Sequence, residues 1–171
     1  MMIAVWIIGA ILFLSWLAIV FVGAPYVPTR TRDLSAIIKA AGLKKGELIV
    51  DLGSGDGRLL IEAARSGYKA VGYELNPFLV VLTWWRIRQY RSHADVRMVD
   101  FWKTPLPEDT KAVFVFLAAP FMKKLERKLE AEAEGLGRDI VLVSYGFKLE
   151  GREPIRTEGS LQVYRFSGRE A

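Results

Sequence analysis

The residues able to do chemistry lie in one short stretch and two acids that follow it. Asp51-Leu52-Gly53-Ser54-Gly55-Asp56-Gly57-Arg58 sets an acid two residues before three alternating glycines. Glycines let a backbone approach a ligand closely, and a helix opening behind them offers unpaired N–H groups. Glu74 lies 21 residues after Gly53, in Tyr73-Glu74-Leu75-Asn76-Pro77. An acid at that distance can accept hydrogen bonds from both hydroxyls of a ribose. Asp100 comes later, followed by Phe101 and Trp102. A dinucleotide loop reads G-x-G-x-x-G, whereas position 58 here is Arg. Asp51 would face a pyrophosphate with like charge, so it suits a ligand bearing an ammonium group. S-adenosylmethionine has an ammonium, a ribose and no phosphate, and the set of Asp51, three glycines, Glu74 and Asp100 points to it.

Composition removes other chemistries. The chain has 171 residues, no cysteine and one histidine, His93. A thiolate zinc site and a cysteine nucleophile are excluded, and a histidine metal cluster or Ser-His-Asp triad is disfavoured. No metal is expected.

Elements must bring the three acids together. Apolar runs predict strands over 48–52, 69–74, 96–100, 112–117 and 139–145, with a final hairpin of 154–157 and 161–166. Helices are predicted from about 33 to Ala41, capped by Asp33 or Thr31, over 58–66, from Asn76 or Pro77 to about Tyr90, and from Phe121 to about Ala133. Strands alternating with helices imply a doubly wound, mostly parallel α/β sheet covered on both faces, with an antiparallel edge from the hairpin. The space between the fifth strand and the hairpin is too short for a normal crossover helix. Asp51, Glu74 and Asp100 then fall at the carboxyl ends of adjacent strands, where such sheets bind ligands.

The length allows one domain with a tail. Residues 1–29 carry no charged side chain, and within 1–22 only Gly9 and Ser15 interrupt an apolar run. A helix of about 20 apolar residues matches the ~30 Å hydrocarbon core of a bilayer. A cleaved signal would have a basic segment first, and none is present. The expected organisation is a transmembrane helix at 1–23, a linker at 24–32 and one domain at 33–171. Arg30, Arg32 and Lys39 all follow the helix, which predicts a single-pass protein with its domain in the cytoplasm. The membrane would be a prokaryotic plasma membrane, or alternatively the mitochondrial inner membrane. The net charge of +5 suits an anionic leaflet, and no run is basic enough to predict nucleic-acid binding. Residues 84–91, WWRIRQYR, read as a helix with buried rings and a solvated basic face; contact with a membrane surface or RNA is the alternative.

The chain resembles the class I S-adenosylmethionine-dependent methyltransferases over residues 33–166. Within them it resembles the membrane-anchored protein-lysine methyltransferases. That family includes the mitochondrial enzymes for the ATP synthase c-ring protein and the adenine nucleotide carrier, and smaller archaeal lysine methyltransferases. The carriers are Pro25-Tyr26-Val27-Pro28-Thr29, the 51–58 loop, Gly72-Tyr73-Glu74-Leu75-Asn76-Pro77, Asp100-Phe101-Trp102-Lys103, and Leu125-Glu126-Arg127-Lys128-Leu129-Glu130. The resemblance implies a Rossmann-like, seven-stranded sheet. It also implies roles. Asp51, Gly53, Ser54 and Gly55 would hold the methionine part of the cofactor, and Glu74 the ribose. Asn76 would shape the turn beneath it. Asp100 and Phe101 would meet the adenine, and Tyr26 to Thr29 would close over the ligand, although Thr29 reads equally as a helix cap. The acceptor would approach near Ala119, Pro120 and Phe121. Tyr145 and Phe147 would wall a lysine channel or serve as sheet-edge core. The sequence departs from the pattern twice: Leu117-Ala118-Ala119-Pro120-Phe121 has no polar side chain, and no tryptophan stands near Gly151.

Three functions compete at this level. The first is methylation of a lysine in a membrane-associated protein, with no nucleic-acid partner. The second is methylation of a small membrane molecule, a lipid or quinone. The third is a non-enzymatic membrane protein that binds S-adenosylmethionine. Methylation of adenine or of a glutamine amide is disfavoured, because the Asn/Asp-Pro-Pro-Tyr loop those enzymes use after the fourth strand is missing.

Overall fold

The computed structural model describes residues 31–168 together with Trp6. The rest of the expected membrane helix, the linker as far as residue 30, and the candidates Tyr26 and Thr29 lie outside the described residues. Among the described residues no helix is long and apolar enough to cross a membrane.

Strands β1 (Leu48–Leu52), β2 (Lys69–Glu74), β3 (Ala94–Met98), β4 (Thr110–Val115), β5 (Ile140–Tyr145), β6 (Arg156–Glu158) and β7 (Leu161–Phe166) form one sheet in the order β3-β2-β1-β4-β5-β7-β6. Pairing is parallel from β3 to β5, and β7 runs antiparallel to both β5 and β6. Helices are α1 (Leu34–Ala41), α2 (Arg58–Arg65), α3 (Pro77–Arg86) and α4 (Ala119–Leu136). The chain winds outward from β1 through β2 to β3, then returns to place β4 on the other side of β1. That reversal leaves a crevice at the carboxyl ends of β1 and β4.

β1 is buried along its whole length, as a central parallel strand must be. Ile49 joins the core beneath α1 and α2, while Leu48, Val50 and Leu52 join the core beneath α4. By that alternation Asp51 lies on the α1–α2 side. No helix lies between β5 and β6, as the spacing required.

Some boundaries differ from expectation. β3 ends at Met98, so Asp100 sits in the following loop rather than on the strand. α3 ends at Arg86 rather than near Tyr90, because Ile87 turns into the core and the chain must bend there to start β3. α4 begins two residues early, with Pro120 in its first turn, where a missing N–H costs nothing. Asp33 does not cap α1 with its side chain; its Oδ2 accepts from the Tyr145 hydroxyl at 2.7 Å.

β2 packs against the glycine loop so closely that Gly72 has no room for a side chain. A Cβ there would lie 2.4 Å from Ser54 Oγ, 2.6 Å from Ser54 Cβ and 2.8 Å from Leu60 Cδ1. Overpacking of this kind costs about 1–3 kcal/mol. Gly72→Ala is therefore expected to lower the unfolding free energy in urea by that amount. Adding Ser54→Gly should recover part of the loss, since two of the three crowding atoms belong to Ser54. Equal stability of the single and double variants would contradict this packing.

Candidate cofactor site at the carboxyl edge of the sheet

Asp51 stands near the end of β1, paired in register with Gly72 of β2 and Phe114 of β4. It is 4% exposed. Burial pushes its carboxyl up to about 8, and the negative charges of Glu74 and Asp56 push it the same way. The site therefore holds an acid whose ionised form lacks compensation, and a ligand cation would supply it.

Asp56, five residues on, has the opposite environment. Arg58 grips it with two hydrogen bonds, Nε to Oδ1 at 2.9 Å and Nη2 to Oδ2 at 2.8 Å. Arg86 of α3 adds an ion pair to Oδ2 and donates to the Asp56 carbonyl at 2.7 Å. Burial alone would raise this carboxyl, but hydrogen bonds from Arg58 and Arg86 outweigh it and hold it at about 2. One acid of the loop is thus a structural anchor, and the other is left to a ligand.

The glycine loop is fixed from two sides. Gly53 and Ser54 donate their N–H groups to the Tyr73 carbonyl at 2.8 and 3.1 Å. Thr83, fully buried on α3, donates its hydroxyl to the Gly55 carbonyl at 2.8 Å. Gly57 adopts φ +72°, and a Cβ there would lie 2.4 Å from Thr83 Cγ2. α3 can seat on the loop only because position 57 is glycine. Ser54 Oγ is buried with no hydrogen-bond partner.

Glu74 ends β2 and reaches back to the loop. Its Oε2 accepts from the Gly55 N–H at 2.9 Å, and its Oε1 accepts from the Leu75 and Asn76 N–H groups at 2.9 and 2.8 Å. Oε1 has both lone pairs engaged and Oε2 has one direction left. Taking both hydroxyls of a ribose would require exchange of a backbone donor. Asn76 caps α3, its Oδ1 accepting from the Phe78 N–H at 3.0 Å.

The loop after β3 stands beside Glu74, whose carbonyl accepts from the Val99 N–H at 3.1 Å. Asp100 Oδ1 accepts from the Trp102 N–H at 3.0 Å, and its other oxygen faces exposed Lys103 at 3.8 Å. Phe101 and Trp102 stack at 4.5 Å between centroids. Asp51, Ser54, Gly55, Glu74 and Asp100 therefore line one edge.

The acceptor candidates divide between the two faces of the sheet. Ala119 and Pro120 are exposed at the start of α4, and Phe121 lies 6.3 Å from Trp102. Phe147 packs with the same α4-side core. Tyr145 is on the other side, edge-on to Phe116 at 5.0 Å with its hydroxyl on Asp33. The two aromatic residues of the expected channel wall thus join different cores. A cleft of about 230 Å³ lies at the opposite, amino edge of the sheet, lined by residues including Lys69, His93 and Asp109, remote from these acids.

Sequence reasoning missed Thr83 and Arg86. The signal for Thr83 was a lone hydroxyl inside the apolar run of α3. The Asp56–Arg86 pair joins residues 30 apart and left no local sign.

A family model described as the ANTKMT methyltransferase domain matches residues 51–156. The human lysine N-methyltransferase of the ATP synthase c-ring protein is 39% identical over 118 residues, 68% of this chain and 50% of that protein. A protein-lysine N-methyltransferase of Saccharolobus islandicus (strain REY15A) is 31% identical over 134 residues, 76% of this chain and 81% of that one. The chain spans about half the length of the animal relatives it matches. The solved structure of an RNA methyltransferase from Salinibacter ruber, in complex with S-adenosyl-L-homocysteine, has a TM-score of 0.72 at 25% identity, covering 85% of this chain and 95% of that chain.

Asp51 makes a prediction about pH. Below its ordinary value of 3.8, native and unfolded carboxyls are both protonated and Asp51 contributes nothing. Between 3.8 and about 8 the native group keeps a proton that the unfolded chain has released, so stability falls as pH rises. Above about 8 the dependence vanishes. Asp51→Asn should flatten this fall in urea titrations run across the window. An unchanged slope in the variant would show that Asp51 titrates normally.

Proposed function

The chain belongs to the ANTKMT methyltransferase family, and on that premise we propose that it methylates the ε-amine of a lysine in a protein at or near a membrane, using S-adenosylmethionine. The observation that carries this reading is that the family match over 51–156 spans the residues of the carboxyl-edge site, from Asp51 to Asp100 and on to Phe147. Its relatives include two protein-lysine methyltransferases, one of them acting on the ATP synthase c-ring protein.

The residues present fit the cofactor. Asp51, buried beside two like charges, would pair with the ligand ammonium. The orphaned Ser54 hydroxyl stands within the same loop and would gain a partner there. Glu74 would take a ribose hydroxyl on its open Oε2 direction, and Asp100 would accept from the adenine amine. When bound, S-adenosylmethionine supplies a methyl group on a cationic sulfur, open to in-line attack by an amine. The chain's own contribution is position and exclusion of water. A lysine amine must be neutral to attack, against an ordinary pKa of about 10.4. Desolvation against Trp102, Phe121 and Phe147, next to a cation, lowers that value. The sole histidine, His93, lies at the far edge of the sheet, so no imidazole base is invoked. The apolar 117–121 segment offers no polar side chain to hold a base amine.

The membrane half of the reading rests on sequence. Residues 1–22 would span a bilayer, with Arg30, Arg32 and Lys39 keeping the domain on the cytoplasmic side. Tethering would raise the local concentration of a membrane-held acceptor.

The test incubates the protein with methyl-labelled S-adenosylmethionine and membranes from its own source. The expected result is label on a discrete protein band that hydrolyses to methyl-lysine. Glu74→Ala removes a charge-assisted acceptor worth about 1.5–3 kcal/mol, so cofactor affinity should fall about 10–100-fold. Label extracting only into organic solvent would replace the lysine with a small membrane acceptor. Binding without turnover on any fraction would mean a non-enzymatic binder.

A further inference from the structure

Helix α3 is apolar on two sides. Thr83 and, just past its end, Ile87 are buried against the loop and sheet. Phe78, Val81, Leu82 and Trp85 recur at i, i+3, i+4 and i+7 and form a single stripe on the opposite side. That stripe faces solvent: Phe78 and Val81 are each 68% exposed, Leu82 42% and Trp85 58%. Leu75 before the helix, Trp84 on its flank and Met98 on the adjoining edge strand are also exposed. The sequence predicted buried rings at 84 and 85, and the structure places both outside. A contiguous apolar surface of this size marks a place where something docks.

Charge selects the occupant. Between Glu74 and Asp95 there is no acid, and Arg86, Arg88 and Arg91 cluster at the end of the helix. Arg86 is committed to Asp56. Arg88 lies over the Trp85 ring at 4.5 Å and Arg91 over the Trp84 ring at 4.0 Å, and neither meets a carboxylate among the described residues. Two copies joined through this face would bring four such arginines together without an acid. The stripe is half aliphatic, and Val81 and Leu82 offer nothing to a nucleic-acid base or phosphate. An anionic bilayer answers both parts, since it takes an apolar stripe below the headgroups and holds tryptophan and arginine at their level.

We propose that the outer face of α3 docks on an anionic lipid bilayer and is a second membrane contact besides the N-terminal tract. This deepens the membrane half of the proposed function and rests on it for the tether. A linker over 24–32 cannot carry the domain farther than about 30 Å from the bilayer. α3 starts directly after Glu74-Leu75-Asn76, so docking it would bring the ribose side of the cofactor site close to the membrane surface. The acceptor class would then be lysines standing near the headgroups.

The chain has no cysteine, so Val81→Cys introduces a single thiol for an environment-sensitive fluorophore at a solvent-facing position. Lys123→Cys, exposed on α4 across the sheet, serves as the reference. The full chain is reconstituted into vesicles of phosphatidylcholine alone or mixed with phosphatidylglycerol, each carrying a chain-attached quencher. The expected result is several-fold stronger quenching at 81 than at 123 in the anionic vesicles. Adding Arg88→Glu and Arg91→Glu should reduce it to the neutral-vesicle level. Equal quenching at both positions overturns the proposal. So does a lipid-independent shift at 81 that follows protein concentration, which would mean a second copy. A shift at 81 caused by an RNA oligonucleotide without lipid also overturns it. Carbonate extraction separates the two membrane readings. A chain that resists extraction but is not quenched at 81 keeps the tether and loses this contact. A chain that is extracted yet quenched at 81 keeps the contact and loses the tether.

Discussion

The carboxyl edge of this protein depends on one buried acid that its own fold does not neutralise. Asp51 is fixed in the middle of the sheet by pairing on both sides. It cannot turn toward water without breaking the central strand. Burial and two neighbouring negative charges favour its protonated form. Such a group costs stability in the free protein, and a ligand cation removes that cost. The same arrangement links cofactor binding to proton release, because a carboxyl held near 8 must ionise to pair with an ammonium.

The rest of the loop is built so that Asp51 alone keeps this property. Asp56 is only five residues away, yet it is saturated by Arg58 and Arg86. Those contacts anchor the loop to α3, and Thr83 adds a hydrogen bond to the Gly55 carbonyl. Gly57 and Gly72 provide the two close approaches that make this seating possible. Glu74 then fastens the loop from the other side through the Gly55 N–H. The glycine loop is therefore held in shape before any ligand arrives, which limits the ordering that binding must impose.

α3 connects this site to the outside surface. Its inner side carries Thr83 and Arg86 to the loop, and its outer side presents Phe78, Val81, Leu82 and Trp85. A helix that is apolar all round is normally enclosed. Here one half packs on the domain and the other faces outward, so an event on the outer face bears on the element that positions the glycine loop.

Much of the fold was legible because its signals are local. Alternating apolar runs and helix periods gave the strand–helix order, and the short stretch after the fifth strand gave the missing crossover helix. The spacing of Asp51, the glycines and Glu74 gave the cofactor class, since these residues sit at the ends of neighbouring strands in any sheet of this winding. What the sequence determined was the list of groups and the edge on which they meet. Tertiary structure alone decided which acid is paired and which is left bare, because Arg86 reaches Asp56 across 30 residues of chain. It separated Tyr145 from Phe147, since neighbouring parts of one chain segment entered cores on opposite faces of the sheet. It also turned Trp84 and Trp85 outward, because the inner side of α3 was already filled by Thr83 and Ile87 against the loop and sheet. Periodicity reports that a helix has an apolar face, but which face the sheet covers depends on what the rest of the chain has packed there.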